Sequence, residues 1–109
     1  MNTKPLYDWQ DKDGQAKLQK ILTKLLDNGY NARMSNSKMF VMIMGETPTP
    51  ICQAYSSSWH SRGLIEVYAG WGVTEPRDAT WNADEAYDML IKIYEEATND
   101  HSNTSIQTM

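Results

Sequence analysis

The spacing of the hydrophobic residues changes at Asn28-Gly29, and this change restricts the chain to a fold that combines helices with a sheet. Before this point, apolar side chains recur every three or four positions, as on one face of a helix. They are Leu18, Ile21, Leu22, Leu25 and Leu26. Asp11 or Asp13 provides an N-cap, because an aspartate accepts hydrogen bonds from the free amides of the first turn. Glycine at position 29 readily takes the left-handed conformation that ends a helix.

After Gly29 the hydrophobic period falls to about two, which is typical of strands. Four strands separated by turn residues are predicted: Tyr30–Met34, Met39–Met44, Ile51–Tyr55 and Leu64–Ala69. An irregular stretch then extends from Gly70-Trp71-Gly72 through Pro76 to a second predicted helix over Asn82–Ala97. Asn82 and Glu85 are spaced for a reciprocal cap at its start.

The predicted order of elements is α-β-β-β-β-α. Consecutive strands with short connections pair as antiparallel neighbours. The expected fold is therefore an α+β two-layer sandwich, with an antiparallel four-stranded sheet and two helices on one face. A single domain over residues 1–97 holds these elements, and the polar residues 98–109 are expected to form a disordered tail. Residues 1–10 are expected to form an arm that is ordered only if it packs on a surface.

Alternation along the strands assigns side chains to the two faces of the sheet. Branched or small apolar residues are expected under the helices: Ile65, Val67, Ala69, Cys52 and Ala54. Larger or polar residues are expected on the opposite, open face: Tyr55, Tyr68, Gln53 and Glu66. The strand Met39–Met44 is apolar at every position, which is typical of strands covered on both sides. We therefore expect the open face to be covered by the N-terminal arm, by a partner or by a second copy in a homodimer.

A single cysteine, Cys52, excludes an internal disulfide framework and a zinc site built from several cysteines. A chain with one cysteine and no disulfide is typical of a reducing compartment, so a cytoplasmic location is expected. No run approaches the ~18 apolar residues of a membrane span, so no membrane association is expected. Cys52 lies in an apolar strand and is expected to be a small buried residue rather than a nucleophile. His60 and His101 do not make a set of several metal ligands, and no cofactor is expected.

Charge is unevenly divided along the chain, whose net charge is −4. Residues 1–40 carry seven lysines or arginines against four acids, whereas residues 41–109 carry three against ten. Much of the acidic excess lies on the second predicted helix, at Asp84, Glu85, Asp88 and Glu95. We expect these side chains to bind a protein partner with a basic surface, because opposite charges favour association.

The first predicted helix carries a basic stripe at Lys17, Lys20 and Lys24, which share one side of the helix. Such a stripe is either a solvated helix face or the contact surface of a nucleic-acid-binding module, the first alternative function. Nucleic acid is the less favoured partner because the chain has a pI of about 5.0, whereas nucleic-acid-binding domains are usually basic.

The loop after the third predicted strand is rich in hydroxyl groups and carries His60 and Arg62. An imidazole and a guanidinium in one loop are suited to hold a phosphate or a carboxylate, so an anion-binding role is predicted for both. Together with Glu66 they define the second alternative function, a small hydrolase or transferase centred on His60, Arg62 and Glu66. Gly70-Trp71-Gly72 lacks the further glycine and lysine of a phosphate-binding loop.

Three tryptophans fall in or beside loops: Trp59, Trp71 and Trp81. They form either a second small core or an anchor patch for a partner, since tryptophan is frequent at interaction hot spots. With Tyr55 and Tyr68, Trp59 and Trp71 are therefore predicted partner-binding residues. The function expected from the sequence is that of a small non-enzymatic interaction protein. In its most specific form it is an inhibitor that places the acidic helix and aromatic loops on a basic site of a nucleic-acid-handling partner.

Overall fold

The structure, a computed structural model, describes residues 12–56, 63–70 and 72–107, with side chains up to residue 99. Its elements, in chain order, are α1 Lys12–Asp27, β1 Ala32–Met34, β2 Phe40–Met44, β3 Pro50–Ser56, β4 Ile65–Tyr68, β5 Asp78–Thr80 and α2 Ala83–Gln107. The strands are antiparallel and lie in the order β1-β2-β3-β4-β5. The predicted α+β class is confirmed, but the described sheet has five strands rather than four.

The additional strand, β5, lies in the stretch that the sequence indicates to be irregular. Its residues pair with β4 in the register Ile65↔Thr80 and Val67↔Asp78. The amide of Arg77 also donates to the carbonyl of Val67 at 2.7 Å. Asp78-Ala79-Thr80 is polar and short, so no hydrophobic alternation marks it, and pairing with β4 overrides its weak strand propensity.

Helix α2 differs from the prediction at its C-terminal end, whereas α1 ends as predicted. Helix α2 ends at Gln107 rather than near Ala97, so it includes residues 98–107 of the tail that the composition predicts over residues 98–109. Its start is as expected, because Asn82 Oδ1 accepts from the Glu85 amide at 2.9 Å. The Glu85 carboxylate accepts instead from the Thr80 hydroxyl, so the predicted cap is not reciprocal. At the end of α1, Gly29 has a φ of 86°, and the amide of Tyr30 donates to the Leu25 carbonyl at 3.0 Å.

The core lies between the two described helices and one face of the sheet. On the sheet side it contains fully buried residues at alternating positions: Val41, Ile43, Cys52, Ala54, Ile65 and Val67. On the helix side it contains Leu18, Ile21, Leu25, Ala86, Leu90 and Ile93. The helix-facing side chains predicted by alternation are therefore confirmed, with Ala69 only partly buried at the edge of the core. Among the described helices, none has an apolar stretch sufficient to cross a membrane.

Cys52 is a buried core residue, as expected. Its Sγ lies 3.8 Å from the carbonyl oxygen of Leu90 in α2. Burial raises the pKa of its thiol to about 12. The thiol is therefore protonated at neutral pH and poorly suited to act as a nucleophile.

The leucines of α1 provide a test of the helix orientation. Leu25 is fully buried, whereas Leu26, which the apolar stripe also includes, is 52% exposed. We expect Leu25→Ala to lower the free energy of unfolding by about 2–5 kcal/mol, because it leaves a cavity in the core. Leu26→Ala is the matched control, with an expected loss within roughly 0.5 kcal/mol. Urea denaturation of both variants measures the difference, and similar losses would contradict the orientation of α1.

Candidate functional site

The face of the sheet opposite the helices, here called the open face, is lined with aromatic, long apolar and polar side chains. They are Arg33, Phe40, Met42, Gln53, Tyr55, Glu66 and Tyr68. The strand register places them in two cross-strand rows. One row is Arg33, Met42, Gln53 and Tyr68, and the other is Phe40, Tyr55 and Glu66. The structure therefore brings together the four residues that alternation assigns to this face.

Three aromatic rings on neighbouring strands contact one another on the open face. The ring centroids of Phe40 and Tyr55 are 4.7 Å apart with a tilt of 30°. Those of Tyr55 and Tyr68 are 6.3 Å apart at 70°, an edge-to-face arrangement. Aromatic pairs in these arrangements gain stability in addition to that from the area they bury. Because Tyr55 contacts both other rings, the three rings form one continuous wall.

This wall is one side of a concavity of about 390 Å³, here called the aromatic pocket. Its lining consists of Phe40, Gln53, Tyr55, Tyr68, Gly72, Val73 and Thr74. The residues after Gly70 bend back towards the open face, and Gly72 has a φ of 82°, a conformation that side chains rarely adopt. A volume in this range suits a small ligand or one inserted side chain.

Gln53 in the lining has an incomplete set of hydrogen bonds. Its side chain is in the central strand β3, and the residue is only 4% exposed. Its Nε2 donates to the Gly70 carbonyl at 3.4 Å, whereas its Oε1 has no partner among the described residues. An unpaired buried acceptor costs about 1–3 kcal/mol. The oxygen itself is buried, so this cost falls on the stability of the fold.

The carboxylate of Glu66 gives the region beside Tyr68 a negative charge. The Tyr68 hydroxyl donates to Glu66 Oε1 at 2.9 Å. Burial, followed by the hydrogen bond to Glu66 and its charge, raises the pKa of Tyr68 to about 12. Tyr68 is therefore a neutral donor at physiological pH, and its hydroxyl holds the carboxylate beside the ring. No lysine, arginine or histidine belongs to the described lining of the aromatic pocket.

A second concavity on the open face, of about 340 Å³, lies towards the β1 edge. Arg33, Met42, Met44 and the turn Pro48-Thr49-Pro50 line it. Methionine side chains are flexible and polarisable, and they are common on surfaces that adapt to partners. The open face thus has an aromatic end with a carboxylate and a methionine-rich end with a guanidinium.

The acidic residues predicted on α2 divide into two groups. Asp84 Oδ1 lies 3.7 Å from both Lys20 Nζ and Lys24 Nζ, and Glu85 accepts from the Thr80 hydroxyl. Asp88 and Glu95 are exposed, and neither forms an ion pair with another described residue. Two of the four predicted acids are therefore used within the fold.

The basic stripe of α1 is also used within the fold. Lys17 Nζ donates to the Gly63 carbonyl at 2.9 Å and lies 3.3 Å from Asp13 Oδ2. Lys24 Nζ lies 4.5 Å from the centroid of the Tyr87 ring, a cation–π distance. With Lys20 bound to Asp84, each lysine of the stripe has an acceptor. These contacts connect α1 to α2 and to the chain just before β4.

Several predicted residues fall on parts of the chain that the structure leaves undescribed. His60, Arg62, Trp59 and Trp71 are among them, so the anion-binding site and the aromatic loops stay predictions. Asp11, one of the two proposed N-caps, is also outside the described residues. Trp81 is described and is 57% exposed, so it does not belong to a second core. Within the described ranges, no group of three histidines, cysteines or acids is arranged to hold a metal ion.

The chain matches no protein-family model, no curated protein and no solved structure. Its function must therefore be argued from its own residues. Among the described residues, the open face combines contacting aromatic rings, long apolar side chains and the half-buried carboxylate of Glu66.

Sequence reasoning placed Gln53 on the open face without naming it as a binding residue, and it assigned neither Phe40 nor the Gly72–Thr74 turn to a site. Phe40 could have been found, because it alternates with Val41 and is therefore on the same face as Tyr55. Gln53 also carries a signal, since it is a polar residue between Cys52 and Ala54 in an otherwise apolar strand. The position of Gly72–Thr74 carries none, because it depends on how the chain folds back after β4.

Replacement of Gln53 tests the unpaired acceptor. Gln53→Met keeps the length of the side chain and removes the buried oxygen, so we expect the free energy of unfolding to rise by about 1 kcal/mol. The same substitution at the exposed Gln19 is the matched control, with an expected change within roughly 0.5 kcal/mol. Thermal and urea denaturation measure both variants. A loss of stability at Gln53 alone would indicate that Oε1 is already paired.

Ionisation of Tyr68 is expected to weaken the fold in alkali. Its pKa is raised from 10.0 to about 12. Its contribution to stability is therefore complete below pH 10.0 and is lost as the pH rises towards 12. Tyrosinate absorbance during an alkaline titration should show a late transition that disappears in Tyr68→Phe and moves to lower pH in Glu66→Gln. An unchanged late transition in Tyr68→Phe would assign it to another tyrosine.

Proposed function

We propose that the protein is a non-enzymatic interaction protein that binds a partner with a basic surface through the open face of its sheet. The observation that carries this proposal is the aromatic pocket, whose wall is formed by the contacting rings of Phe40, Tyr55 and Tyr68 on the open face. Concave and largely apolar surfaces are the usual places where proteins bind a ligand or a projecting side chain.

The composition of the open face supports a protein partner. Aromatic residues, methionine and arginine are the types enriched in protein interfaces, and all of them occur on this face. The half-buried Phe40, Tyr55 and Tyr68 are rigid side chains that lose little conformational freedom on binding. Two concavities next to each other offer positions for projecting side chains of the partner.

Charge supports a basic partner. Glu66 supplies a carboxylate beside the aromatic pocket, and the whole chain has a net charge of −4. The exposed Asp88 and Glu95 belong to the helical layer, on the side of the molecule opposite the open face. We therefore assign them to long-range attraction of the partner, which depends on the summed field, rather than to direct contact.

The more specific form of the proposal concerns the kind of partner. A basic site on a nucleic-acid-handling enzyme is built to attract phosphates, and a small acidic protein with an aromatic contact surface is suited to block it. This inhibitor role extends the proposal and depends on it. The alternative of a nucleic-acid-binding module is less favoured, because Lys17, Lys20 and Lys24 are bound to acceptors of the same chain.

Affinity capture with paired variants tests the proposal. The intact chain, Tyr55→Ala and the double variant Asp88→Lys/Glu95→Lys are immobilised, and bound proteins and nucleic acids from the native cell are identified and quantified. We expect a stoichiometric protein that is lost with Tyr55→Ala and retained, with slower association at low salt, by the helix variant. Circular dichroism confirms that each variant is folded.

Two outcomes would contradict this assignment. A partner lost with the helix variant and retained by Tyr55→Ala would place the contact on α2. Nucleic acid as the bound species would favour the first alternative function.

A further inference from the structure

Helix α1 begins at the end of the sheet where β3 ends and β4 begins. Lys17 Nζ donates to the Gly63 carbonyl at 2.9 Å, and the Asp13 carboxylate is so close to Gly63 that a side chain there would clash with it. Gly63 comes just before β4, whose first residue, Ile65, pairs with the last residue of β3. The residues that precede Lys12 therefore join the fold at this end of the sheet.

The aromatic wall begins at the same end. Tyr55 is one residue before the end of β3, Glu66 is one residue after the start of β4, and Phe40 is the first residue of β2. These three residues are here called the outer row of the open face. The row that contains Gln53 and Tyr68 lies two residues further in, about 7 Å at the usual rise of a strand.

The N-terminal arm, residues 1–10, is long enough to reach the aromatic pocket from this end. The arm lies outside the described residues, but its point of attachment at Lys12 is described. An extended chain spans about 3.3 Å per residue, and packed layers are about 10 Å apart. Trp9, three residues before Lys12, can therefore cross from the helical layer to the outer row. Tyr7, two residues earlier, can reach the pocket.

The sequence of the arm is complementary to the aromatic wall. In an extended segment alternate side chains share one side, and Tyr7 and Trp9 form such a pair. Rings gain stability from contact with other rings. We propose that the N-terminal arm crosses the end of the sheet and docks on the open face, with Tyr7 in the aromatic pocket and Trp9 on the outer row. The inference rests on the proposed function, because it supplies a regulation of the same surface.

Charge and tethering favour the arm over a second copy of the chain. Residues 1–10 carry one lysine and one aspartate, so the arm is not repelled by a chain whose net charge is −4, whereas two whole copies repel each other. A segment attached to the same domain also has an effective concentration in the millimolar range. A second copy at micromolar concentration does not compete with it.

A docked arm competes with the partner for the open face. An arm that is docked in about nine molecules of ten lowers the apparent affinity for the partner about tenfold. The free protein thus keeps its aromatic rings covered, and the partner must displace the arm to reach them.

A nitroxide spin label on the arm tests this placement in the full chain. Asp8→Cys carries the label, because position 8 faces away from the sheet in the proposed arrangement. Cys52 is not labelled, since it is buried and its thiol is protonated at neutral pH. Nuclear magnetic resonance follows the ring signals of Tyr55 and Tyr68. We expect both sets of signals to lose most of their intensity and to recover it when the nitroxide is reduced.

Matched variants of the labelled chain keep the point of attachment and change the arm. Tyr7→Ser/Trp9→Ser should restore the Tyr68 signals, because it removes both docking side chains. Leu6→Ser, on the opposite side of the extended arm, should leave the signals weakened. The nitroxide chain is also mixed with an isotope-labelled chain that carries no nitroxide, and the signals of the second chain should keep their intensity.

Three results would overturn the inference. Full intensity of the Tyr68 signals in the labelled chain would place the arm elsewhere. Equal losses with and without Tyr7→Ser/Trp9→Ser would show that these side chains do not dock. Loss of signal in the mixed sample would show that the arm of a second copy occupies the pocket.

The capture experiment separates this inference from the proposed function. If the Tyr68 signals keep their intensity and Tyr55→Ala still loses the captured protein, the proposed function stands and only the inference fails. If the signals weaken and Tyr55→Ala retains that protein, the arm docks and the proposed function fails. The captured protein should also bind Tyr7→Ser/Trp9→Ser about tenfold more tightly than the intact chain. Equal affinity would overturn the regulatory role of the arm.

Discussion

The structure depends on the fact that the two described helices cover one face of a sheet whose second strand is apolar on both. Val41 and Ile43 of β2 are fully buried on the side of these helices. Phe40, Met42 and Met44 point to the other side and are half-buried there, where no described helix lies. Burial of apolar area is the dominant favourable contribution to folding and to association. The core therefore accounts for one set of side chains, and the proposed function concerns the second set. The strand β3, with Cys52 and Ala54 on one side and Gln53 and Tyr55 on the other, joins the two surfaces.

The charges near the two helices are largely committed to the fold itself. Lys20 and Lys24 both approach Asp84, and Lys24 also lies over the Tyr87 ring. Exposed ion pairs of this kind contribute little to stability individually. Their greater effect is on the charge of the surface, because they neutralise lysines of the basic stripe and one of the acids of α2. On α2, the exposed acids Asp88 and Glu95 form no ion pair with another described residue.

Local sequence patterns predict much of this fold and less of the site. The apolar stripe of α1 and the alternation in β3 and β4 follow from the geometry of one element, so they can be read from nearby residues. Strand β5 could not be predicted, because Asp78-Ala79-Thr80 becomes a strand only by pairing with β4. Likewise, the contact of Asp84 with two lysines depends on how α1 packs against α2. The same holds for the Gln53 amide. Its orientation depends on the contact of Nε2 with Gly70, which is seventeen residues away along the chain.

The two outer strands of the sheet affect how this protein associates with other chains. β1 and β5 each contain three residues, and β5 carries the exposed Asp78. A sheet edge normally offers a row of unpaired amides and carbonyls on which another chain can add a strand, and short, charged edges are the usual protection against this. Uncontrolled growth of an intermolecular sheet is therefore discouraged at both margins. Under the proposed function, contact through the open face buries side chains and adds no strand to the sheet, so the assembly ends with the partner that is bound.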